Sequence, residues 1–417
     1  MTSSIPPRPP QQPGRPPASP RVYQPAPIPR PSVPQHPAWN APVMPGIAGT
    51  VITIVGVVLL SILAAIVAVL LAAAIGPGSF LGMGLLALIP LGIVLLTVRW
   101  IDRWLPQPKT GMWLGFLWGS AAAVVVTLVL TFAENFTMSV ASGGAVKMSS
   151  AFATTIQAPS IEEFAKGLGL LVLLWVQRRH FNGPLDGLVY AAIIAGGFAF
   201  TENILYFARA LDSASPGQSL ILTFVLRGIM GPFAHITFTS VTGLFLGIAA
   251  RKTGPFGAIG FFVIGLIPAM ILHGVWNSAS LFSNGLVGYL SFYLVVEVPL
   301  FALWIVAVSL FRRAEITMTR RRLGEYVPYG WLSPAEVGMF SSWNGRRQAL
   351  AWAKSFPGAK RKMRRLIYDA GTLAALRHQM MIGRGNAKVA AAERAQLAAL
   401  SRHRIELLQT ASPPHAL

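Results

Sequence analysis

Long apolar runs, each about the length of a membrane-crossing helix, follow one another along most of this chain. A helix needs about 20 mainly apolar residues to cross the hydrocarbon core of a bilayer. Runs near that length cover residues 48–75, 79–99, 111–133, 160–177, 186–208, 219–250, 256–280 and 286–311. The pattern therefore predicts an all-α, polytopic membrane helix bundle with about eight transmembrane helices.

The run over residues 219–250 is too long for one simple span, and it contains Arg227 and the pair Gly231 and Pro232. Proline removes a backbone donor and kinks or breaks a helix. Two structures agree with this pattern. One is a broken or tilted helix, and the other is a short interfacial segment that leads into a span beginning near Pro232.

Composition agrees with a membrane protein, since 53% of the residues are apolar and only 12% are charged. The mean hydropathy is +0.57. The chain has no cysteine. Disulfides, thiolate metal sites and a cysteine nucleophile are therefore excluded.

The net charge of +20 is concentrated at the two ends of the chain. Residues 1–46 carry four basic and no acidic side chains, residues 47–311 carry 11 and 8, and residues 312–417 carry 19 and 6. Basic flanks around an apolar block indicate that both termini of a multi-pass plasma-membrane protein lie in the cytoplasm. They also predict contact with anionic lipid, and no nucleic-acid partner is expected.

Basic residues in the short loops support the same topology for eight spans. Loops expected inside contain Arg99, Arg103, Lys109, Arg178, Arg179, Arg251, Lys252, Arg312 and Arg313, whereas loops expected outside contain little more than Lys147 and Arg209. An odd number of spans would destroy this alternation.

The two flanking regions differ in character. Residues 1–46 hold 16 of the 32 prolines, which predicts a disordered tail. Residues 312–417 predict a basic helical tail, with a capping box from Ser333 to Glu336 and two helices over about 358–382 and 387–410, the second capped by Asn386. The basic stretch 360–365 is more typical of a helix that lies against the membrane than of a segment that binds nucleic acid.

Ionisable side chains interrupt four of the apolar segments in the membrane part, 47–311. The segments are SIEEFAKGLGLL, GGFAFTENILYF, GPFAHITFT and AMILHGVWN. A charge near the bilayer centre costs roughly 2.5–3.5 kcal/mol even on the lenient insertion scale, so such residues mark interior sites. Their distribution over four helices predicts one polar pocket.

Glu162 and Glu163 project about 100° apart on a helix, and Lys166 lies one turn from both. The lysine can pair with one carboxylate and leave the other free as a general base or acid. A structural ion pair at a helix N-terminus explains the same pattern.

The other polar groups come from three further helices. Glu202 is followed by Asn203 and shares a helix face with Phe198, and Asn277 lies one turn after His273. A lone histidine on a membrane helix, such as His235, is more often a satisfied hydrogen-bonding residue than a ligand. In the proposed topology Glu202 and His273 lie about 17 residues, or ~25 Å, from the cytoplasmic ends of their helices. The pocket is therefore expected in the outer leaflet.

Two mechanisms of peptide hydrolysis fit these groups. In the first, a Glu-His-His set holds Zn²⁺ and the second glutamate takes the proton. In the second, a glutamate activates water directly, and His and Asn stabilise the oxyanion. The chain contains no HExxH, GxGD or GxSxG sequence, which excludes the protease classes that use them.

These motifs, in this order, resemble those of the PrsW family of intramembrane proteases, which is distantly related to the CAAX-prenyl-type membrane endopeptidases. EEFAK resembles the EExxK motif, FAFTE the FxxxE motif, and His235 and HGVWN the two histidine motifs. The resemblance covers roughly residues 110–310.

The resemblance implies roles for seven residues. Glu162 and Glu163 would be the paired acids, Lys166 their partner and Glu202 the third carboxylate, with His235, His273 and Asn277 completing the site. The family is usually classed as metalloprotease, which implies Zn²⁺ on Glu202, His235 and His273. Its substrates are membrane-tethered proteins, including regulators of the anti-sigma type.

Two other functions remain open at this point. Arg227, Glu297 and the interrupted run near Pro232 are also typical of a proton-coupled transporter. A catalytically silent scaffold that binds membrane helices is the third possibility, and the complete set of motifs argues against it.

Overall fold

The computed structural model describes residues 47–145, 148–178, 180–254, 256–282 and 285–411. The predicted disordered tail 1–46, and Lys147 and Arg179 of the topology argument, lie outside these residues. The described chain is helical and has no strand, which confirms the all-α prediction.

The membrane part consists of helices joined by short turns. In chain order they are α1 Ile47–Ile75, α2 Pro77–Ile101, α3 Lys109–Ala141, α4 Ala158–Val176, α5 Pro184–Leu211, α6 Pro216–Phe224, α7 Ala234–Lys252, α8 Gly257–Phe282 and α9 Gly285–Gly324. α3 and α9 continue beyond the predicted ends at residues 133 and 311.

Seven helical segments among the described residues are long and apolar enough to cross a membrane. α4 is not one of them, because its 19 residues include Glu162, Glu163 and Lys166. It nevertheless packs between α3, α5, α7 and α8, and most of its residues are buried. α4 is thus an internal helix of the bundle, and its charges face protein rather than lipid.

The overlong run divides into two helices. A π-helical segment, Val225–Met230, continues α6, and a turn at residues 231–233 separates it from α7. Pro232 lies in this turn, where its missing backbone donor costs no helical hydrogen bond. α7 therefore begins at Ala234 and carries His235 in its first turn.

Wide π-helical turns interrupt or precede several helices. They are Trp118–Ala123 within α3, Ala153–Gln157 before α4, Val225–Met230 after α6 and Tyr293–Glu297 within α9. Such turns are rare and often occur at functional sites. The second and third lie directly beside the polar segments predicted from the sequence.

α5 is the most buried helix of the bundle and packs closely against α7. A Cβ atom on Gly187 would lie 1.9 Å from the backbone oxygen of Gly243. Glycines that allow such backbone approach are typical of packed membrane helices. This contact fixes the spacing of the two helices that carry Glu202 and His235.

A helical unit follows α9 and has its own apolar core. It contains α10 Pro334–Phe340, α11 Trp343–Ala353, α12 Ala359–Gln379 and α13 Ala387–Ala411, packed around Phe340, Leu373 and Leu400. The capping box from Ser333 to Glu336 is confirmed. The Asn386 cap is confirmed as well, since its Oδ1 accepts a hydrogen bond from the backbone of Val389 at 2.9 Å.

This C-terminal helical unit docks on the loops at one end of the membrane bundle. Arg346 donates a hydrogen bond to the backbone oxygen of Trp104, and its guanidinium lies 3.5 Å from the centre of the Trp104 ring. Gln379 donates to the side chain of Asn182 at 2.7 Å. The loops after α2 and α4 are thereby tied to the unit.

A cluster of buried polar groups lies at the same end of the bundle. Gln107 donates to Asp186 at 2.6 Å and accepts from the Tyr190 hydroxyl at 3.1 Å. The backbone of Gln107 donates to Asp102, just beyond the end of α2. Burial raises the pKa of Asp102 from 3.8 to about 7, and nearby Asp186 acts in the same direction.

Candidate active site

The predicted site residues come together at the end of the bundle opposite the docked helices. α4 and α7 contribute residues near their N-termini, whereas α5 and α8 contribute residues from their C-terminal halves. Because these helices run alternately up and down, the four positions lie at one level. The following six residues are buried or largely buried at this level: Glu162, Glu163, Lys166, Glu202, His235 and His273.

Glu163 is completely buried and holds three partners. Its Oε1 lies 2.6 Å from Lys166 Nζ and 3.0 Å from His273 Nδ1, and its Oε2 accepts a hydrogen bond from Thr239 at 2.8 Å. A buried carboxylate needs this degree of pairing to offset its desolvation. Glu163 is thus fully engaged within the protein.

Glu162, the neighbouring residue, has the opposite surroundings. Its Oε2 lies 3.7 Å from Lys166 Nζ and 3.8 Å from His273 Nε2. Both distances exceed hydrogen-bond range. Among the residues that the structure describes, this buried oxygen has no hydrogen-bond partner. The lysine therefore pairs closely with one glutamate and leaves the other available.

Lys166 lies at the centre of the cluster and is completely buried. Besides Glu163, its Nζ contacts His235 Nδ1 at 3.1 Å. The ammonium also lies 4.5 Å from the centre of the Phe198 ring, within the range of a cation–π contact. One lysine thus links α4, α5 and α7.

The two imidazoles are each oriented by a carboxylate. His273 Nδ1 faces Glu163, and His235 Nε2 lies 2.9 Å from Glu202 Oε2. A neutral histidine that donates from one nitrogen to a carboxylate presents the other nitrogen as an acceptor. The ring centres of His235 and His273 are 5.0 Å apart. The other nitrogen of His235, Nδ1, contacts Lys166 Nζ, and the other nitrogen of His273, Nε2, lies 3.8 Å from Glu162 Oε2.

Arg227, on the π-helical segment after α6, is the main partner of Glu202. Its Nη2 donates to Glu202 at 2.6 Å, and its Nε donates to Asn203 at 3.0 Å. Sequence reasoning gave Arg227 no place in the site. The available signal was its position as the single charge between His235 and the start of the 219–250 run.

Thr239 was also missed by sequence reasoning. It lies one helical turn after His235 on α7, so the two side chains share a face. A threonine on a membrane helix usually bonds to its own backbone, and only the helix packing shows that this one reaches Glu163.

Asn277 lies on the same helix as His273, and its amide donates to the backbone oxygen of Thr154 at 2.9 Å. Thr154 belongs to the π-helical segment before α4. The contact holds α8 against the segment that leads to the two glutamates. A direct role of Asn277 in catalysis stays a prediction.

Three of the residues are arranged as a potential metal site. Ligand atoms of Glu162, His235 and His273 all lie within 4.8 Å of one another, and all three residues are buried. The family resemblance implied Glu202 and the two histidines as the ligands. In the structure Glu202 lies beside His235 and Arg227, and Glu162 takes the position between the imidazoles. The ligand set stays a prediction.

A small cavity opens beside His235, where the turn between α6 and α7 meets α2 and α5. Its volume is about 20 Å³, and its polar lining consists of Asn203, Arg227 and His235. A water molecule needs at least about 10–15 Å³ by this kind of measure and two or more polar partners. The cavity is therefore large enough for one water molecule.

Buried glutamates and histidines from four helices of a polytopic membrane bundle are the arrangement expected of an intramembrane protease. Residues 107–304 match the PrsW family of intramembrane metalloproteases. The match covers just under half of the chain, and by this similarity the chain is an intramembrane protease.

Bacterial relatives agree with this assignment. The chain is 25% identical to Protease PrsW of Clostridioides difficile over 198 residues, which are 47% of this chain and 78% of the relative. It is 30% identical to Protease PrsW of Oceanobacillus iheyensis over 156 residues, 37% and 64% of the two chains. It is 27% identical to Protease PrsW of Bacillus subtilis over 150 residues, which are 36% of this chain and 64% of the relative. No solved structure matches the chain significantly.

Proposed function

We propose that this protein hydrolyses a peptide bond in membrane-tethered proteins, including regulators of the anti-sigma type, with Glu162 as the general base. The observation that carries the proposal is the contrast between the paired glutamates. Glu163 has three partners, whereas Glu162 has a buried oxygen that engages no described residue. A base must have a free acceptor for the proton that it abstracts.

In the proposed reaction Glu162 takes a proton from a water molecule. The water oxygen then forms a bond to the carbonyl carbon of the substrate and creates a tetrahedral intermediate. The intermediate collapses when its C–N bond breaks, and the proton passes from Glu162 to the leaving nitrogen.

Glu163, Lys166 and Glu202 have positioning roles in this proposal. Glu163 orients His273, and Glu202 orients His235. Lys166 and Arg227 bring two positive charges to the three carboxylates, which leaves one negative charge uncompensated. Glu162 lies 3.7 Å from Lys166, which Glu163 holds more closely, and an incoming proton or a metal cation would compensate its charge.

The residues also fit a metal ion. Glu162, His235 and His273 form a Glu-His-His donor set of the kind that binds catalytic Zn²⁺, and the unpartnered Oε2 of Glu162 is a free ligand atom within it. Bound there, Zn²⁺ would act as a Lewis acid on the scissile carbonyl group, and Glu162 would be a ligand in place of the general base. Glu163 and Glu202 would then orient the two histidine ligands, as carboxylates commonly do in zinc sites.

Metal analysis of the purified protein distinguishes the two versions. A zinc enzyme contains about one equivalent of Zn²⁺, loses cleavage activity on chelation and loses metal in the His273→Ala variant. Absence of bound metal together with chelator-resistant cleavage rejects zinc. The Glu202→Ala variant adds a second test, because a Glu202 ligand would make it lose metal, whereas a Glu162 ligand set would retain most of it.

The topology proposed from the sequence places this site in the outer half of the membrane and both termini in the cytoplasm. The described basic residues Arg178, Arg251 and Lys252 lie at the opposite end of the bundle from the site, which supports this orientation. We further propose anionic lipid contact by the exposed side chains of Arg361, Arg364 and Arg365 on α12.

The distribution of polar groups along α5 favours a hydrolytic site over a proton path. Residues 191–200, AAIIAGGFAF, are apolar and separate Tyr190 in the polar cluster at one end from Glu202 at the other. A proton relay through this helix would need titratable groups between them.

Terminal labelling of the membrane proteome tests the proposal and does not require a substrate to be identified first. Cells that produce the wild-type protein should contain new protein N-termini within or just outside membrane segments, and cells that produce His273→Ala should lack them. Glu134→Gln is the matched control, since this acid lies on α3 and bonds Gln157 rather than the cluster. Identical N-termini in the wild type and His273→Ala would disprove proteolysis at this site.

A further inference from the structure

Arg227 is a charged residue within the membrane bundle that the hydrolytic scheme leaves without a role in bond cleavage. Its side chain is 22% exposed and lines the small cavity that also contacts His235. A guanidinium inside a membrane protein is costly, so a side chain retained there usually serves a site.

The guanidinium group is held on three sides. Nε donates to Asn203, Nη2 donates to Glu202, and the group lies 3.8 Å from the centre of the Tyr206 ring. Glu202 also contacts His235, so its carboxylate connects the arginine to the imidazole. Among the described residues no hydrogen bond engages Nη1. The guanidinium of Arg227 is therefore held in place, and the N–H groups of its Nη1 remain available as hydrogen-bond donors.

The size of the cavity limits what these donors can bind. At about 20 Å³ it has room for about one oxygen-sized group next to the guanidinium. Its other walls are apolar, including Leu91, Val94 and Trp276, which lowers the local dielectric and strengthens a charge-assisted hydrogen bond. The carbonyl oxygen of a peptide bond has this size and accepts such a hydrogen bond.

We propose that Arg227 binds the scissile carbonyl oxygen and stabilises the negative charge that this oxygen acquires in the tetrahedral intermediate. The inference rests on the proposed function. As the water oxygen bonds to the carbonyl carbon, the electron pair of the C=O bond moves to the oxygen and Glu162 takes the water proton. Arg227 remains protonated throughout. When the C–N bond breaks, the pair returns and the proton leaves with the amine.

Other donors near the cluster are already engaged. Lys166 pairs with Glu163, and Asn277 donates to the backbone of Thr154. Arg227 therefore takes the role of oxyanion donor that the metal-free mechanism gave to His and Asn. A preorganised donor of this kind typically contributes a factor of about 10²–10³ in kcat.

The test compares kcat and KM of Arg227→Gln with the wild type in liposomes, on a reporter built from a cleavage site found by terminal labelling. We expect kcat to fall by about 10²–10³ with KM changed less than about threefold, because the donor acts on the transition state. Arg209→Gln is the matched control. Arg209 is exposed and contacts the same Tyr206 ring at 5.7 Å, and its variant should keep wild-type kcat.

The outcomes separate this inference from the proposed function. If Glu162→Gln cleaves at the wild-type rate, the proposed function itself fails. If Glu162→Gln is inactive while Arg227→Gln keeps wild-type kcat, or changes KM alone, only the arginine inference is overturned. Should Arg227→Gln not fold, Arg227→Lys replaces it, since lysine keeps the charge beside Glu202 without the planar pair of donors. A folded Arg227→Lys with wild-type kcat also overturns the inference.

Discussion

The adjacent residues Glu162 and Glu163 have different environments because they project from different sides of α4. Glu163 points to Lys166, His273 and Thr239, and Glu162 points to the space between the imidazoles. Stability is therefore expected to depend on one carboxylate, and chemistry on the other.

Replacing each glutamate by glutamine should separate these two contributions. Glu163→Gln leaves the buried Lys166 without its close partner, and removal of one member of a buried ion pair typically costs about 3–5 kcal/mol. Glu162→Gln breaks no hydrogen bond to a described residue and should change the unfolding free energy little. Thermal unfolding in detergent measures both, and equal melting temperatures for the two variants would contradict the assignment.

At the same scale, the sequence indicated which side chains lie near one another, but it did not indicate the contacts that each of them makes. Spacing on one helix placed Lys166 beside both glutamates. The spacing alone could not show which glutamate the lysine would pair with. The contacts of Arg227 and Thr239 depend on how separate helices are rotated against each other. Apolar periodicity does not determine that rotation to the accuracy of a hydrogen bond.

At the scale of elements, the site depends on close packing between α8 and the π-helical segment Ala153–Gln157. Gly274, next to His273, faces this segment, and a Cβ atom there would lie 2.5 Å from the backbone oxygen of Thr155. The Asn277 contact to Thr154 ties the same two elements. The position of His273 thus depends on the absence of one side chain.

Gly274→Ala should therefore impair catalysis although alanine itself is inert. The added methyl group forces α8 away, and a displacement of about 1 Å at a reacting group can cost roughly 10²-fold in rate. Gly260→Ala on the same helix is the control, because no atom lies within 4 Å of its added Cβ. Cleavage assays on both variants check this, and a fully active Gly274→Ala would show that the contact is not required.

Element prediction succeeded where a local signal exists. The apolar runs marked the membrane helices, and the capping residues Ser333 and Asn386 marked two helix starts. The π-helical turns were not predicted, since they arise from packing between helices and have no distinct sequence pattern. For residues 219–250, Gly231 and Pro232 indicated a break, but the first residue of α7 required the structure.

At the scale of the whole molecule, the site and the docked C-terminal helical unit lie at opposite ends of the bundle. The proposed topology therefore puts the chemistry near the outer surface and the docked unit in the cytoplasm. The absence of cysteine from the chain makes this directly measurable.

Single cysteines introduced at exposed positions should report the two sides. In intact cells a membrane-impermeant maleimide should label Ala214→Cys, between α5 and α6, and should not label Ser355→Cys, after α11. Permeabilised cells should allow labelling of both. Labelling of Ser355→Cys in intact cells would reverse the topology.

The polar cluster beneath the docked unit predicts a pH effect on stability. The pKa of Asp102 is about 7 in the folded protein against 3.8 ordinarily, so the folded state binds more protons between these values. Its contribution to stability is therefore present near pH 4 and is lost as the pH rises to about 7. Asp102→Asn should remove this loss. The melting temperature of the variant minus that of the wild type should therefore be larger at pH 8 than at pH 5. A difference that does not vary with pH would exclude the effect.

The central claim is that Glu162 performs the proton transfer of peptide hydrolysis. The most direct measurement is the rate at which purified Glu162→Gln, in liposomes, cleaves a reporter that the wild type cleaves. General-base catalysis typically contributes about 10²–10⁴ in rate, so we expect at least a hundredfold fall in kcat with an unchanged melting temperature. A folded Glu162→Gln protein that cleaves the reporter at the wild-type rate would contradict the claim.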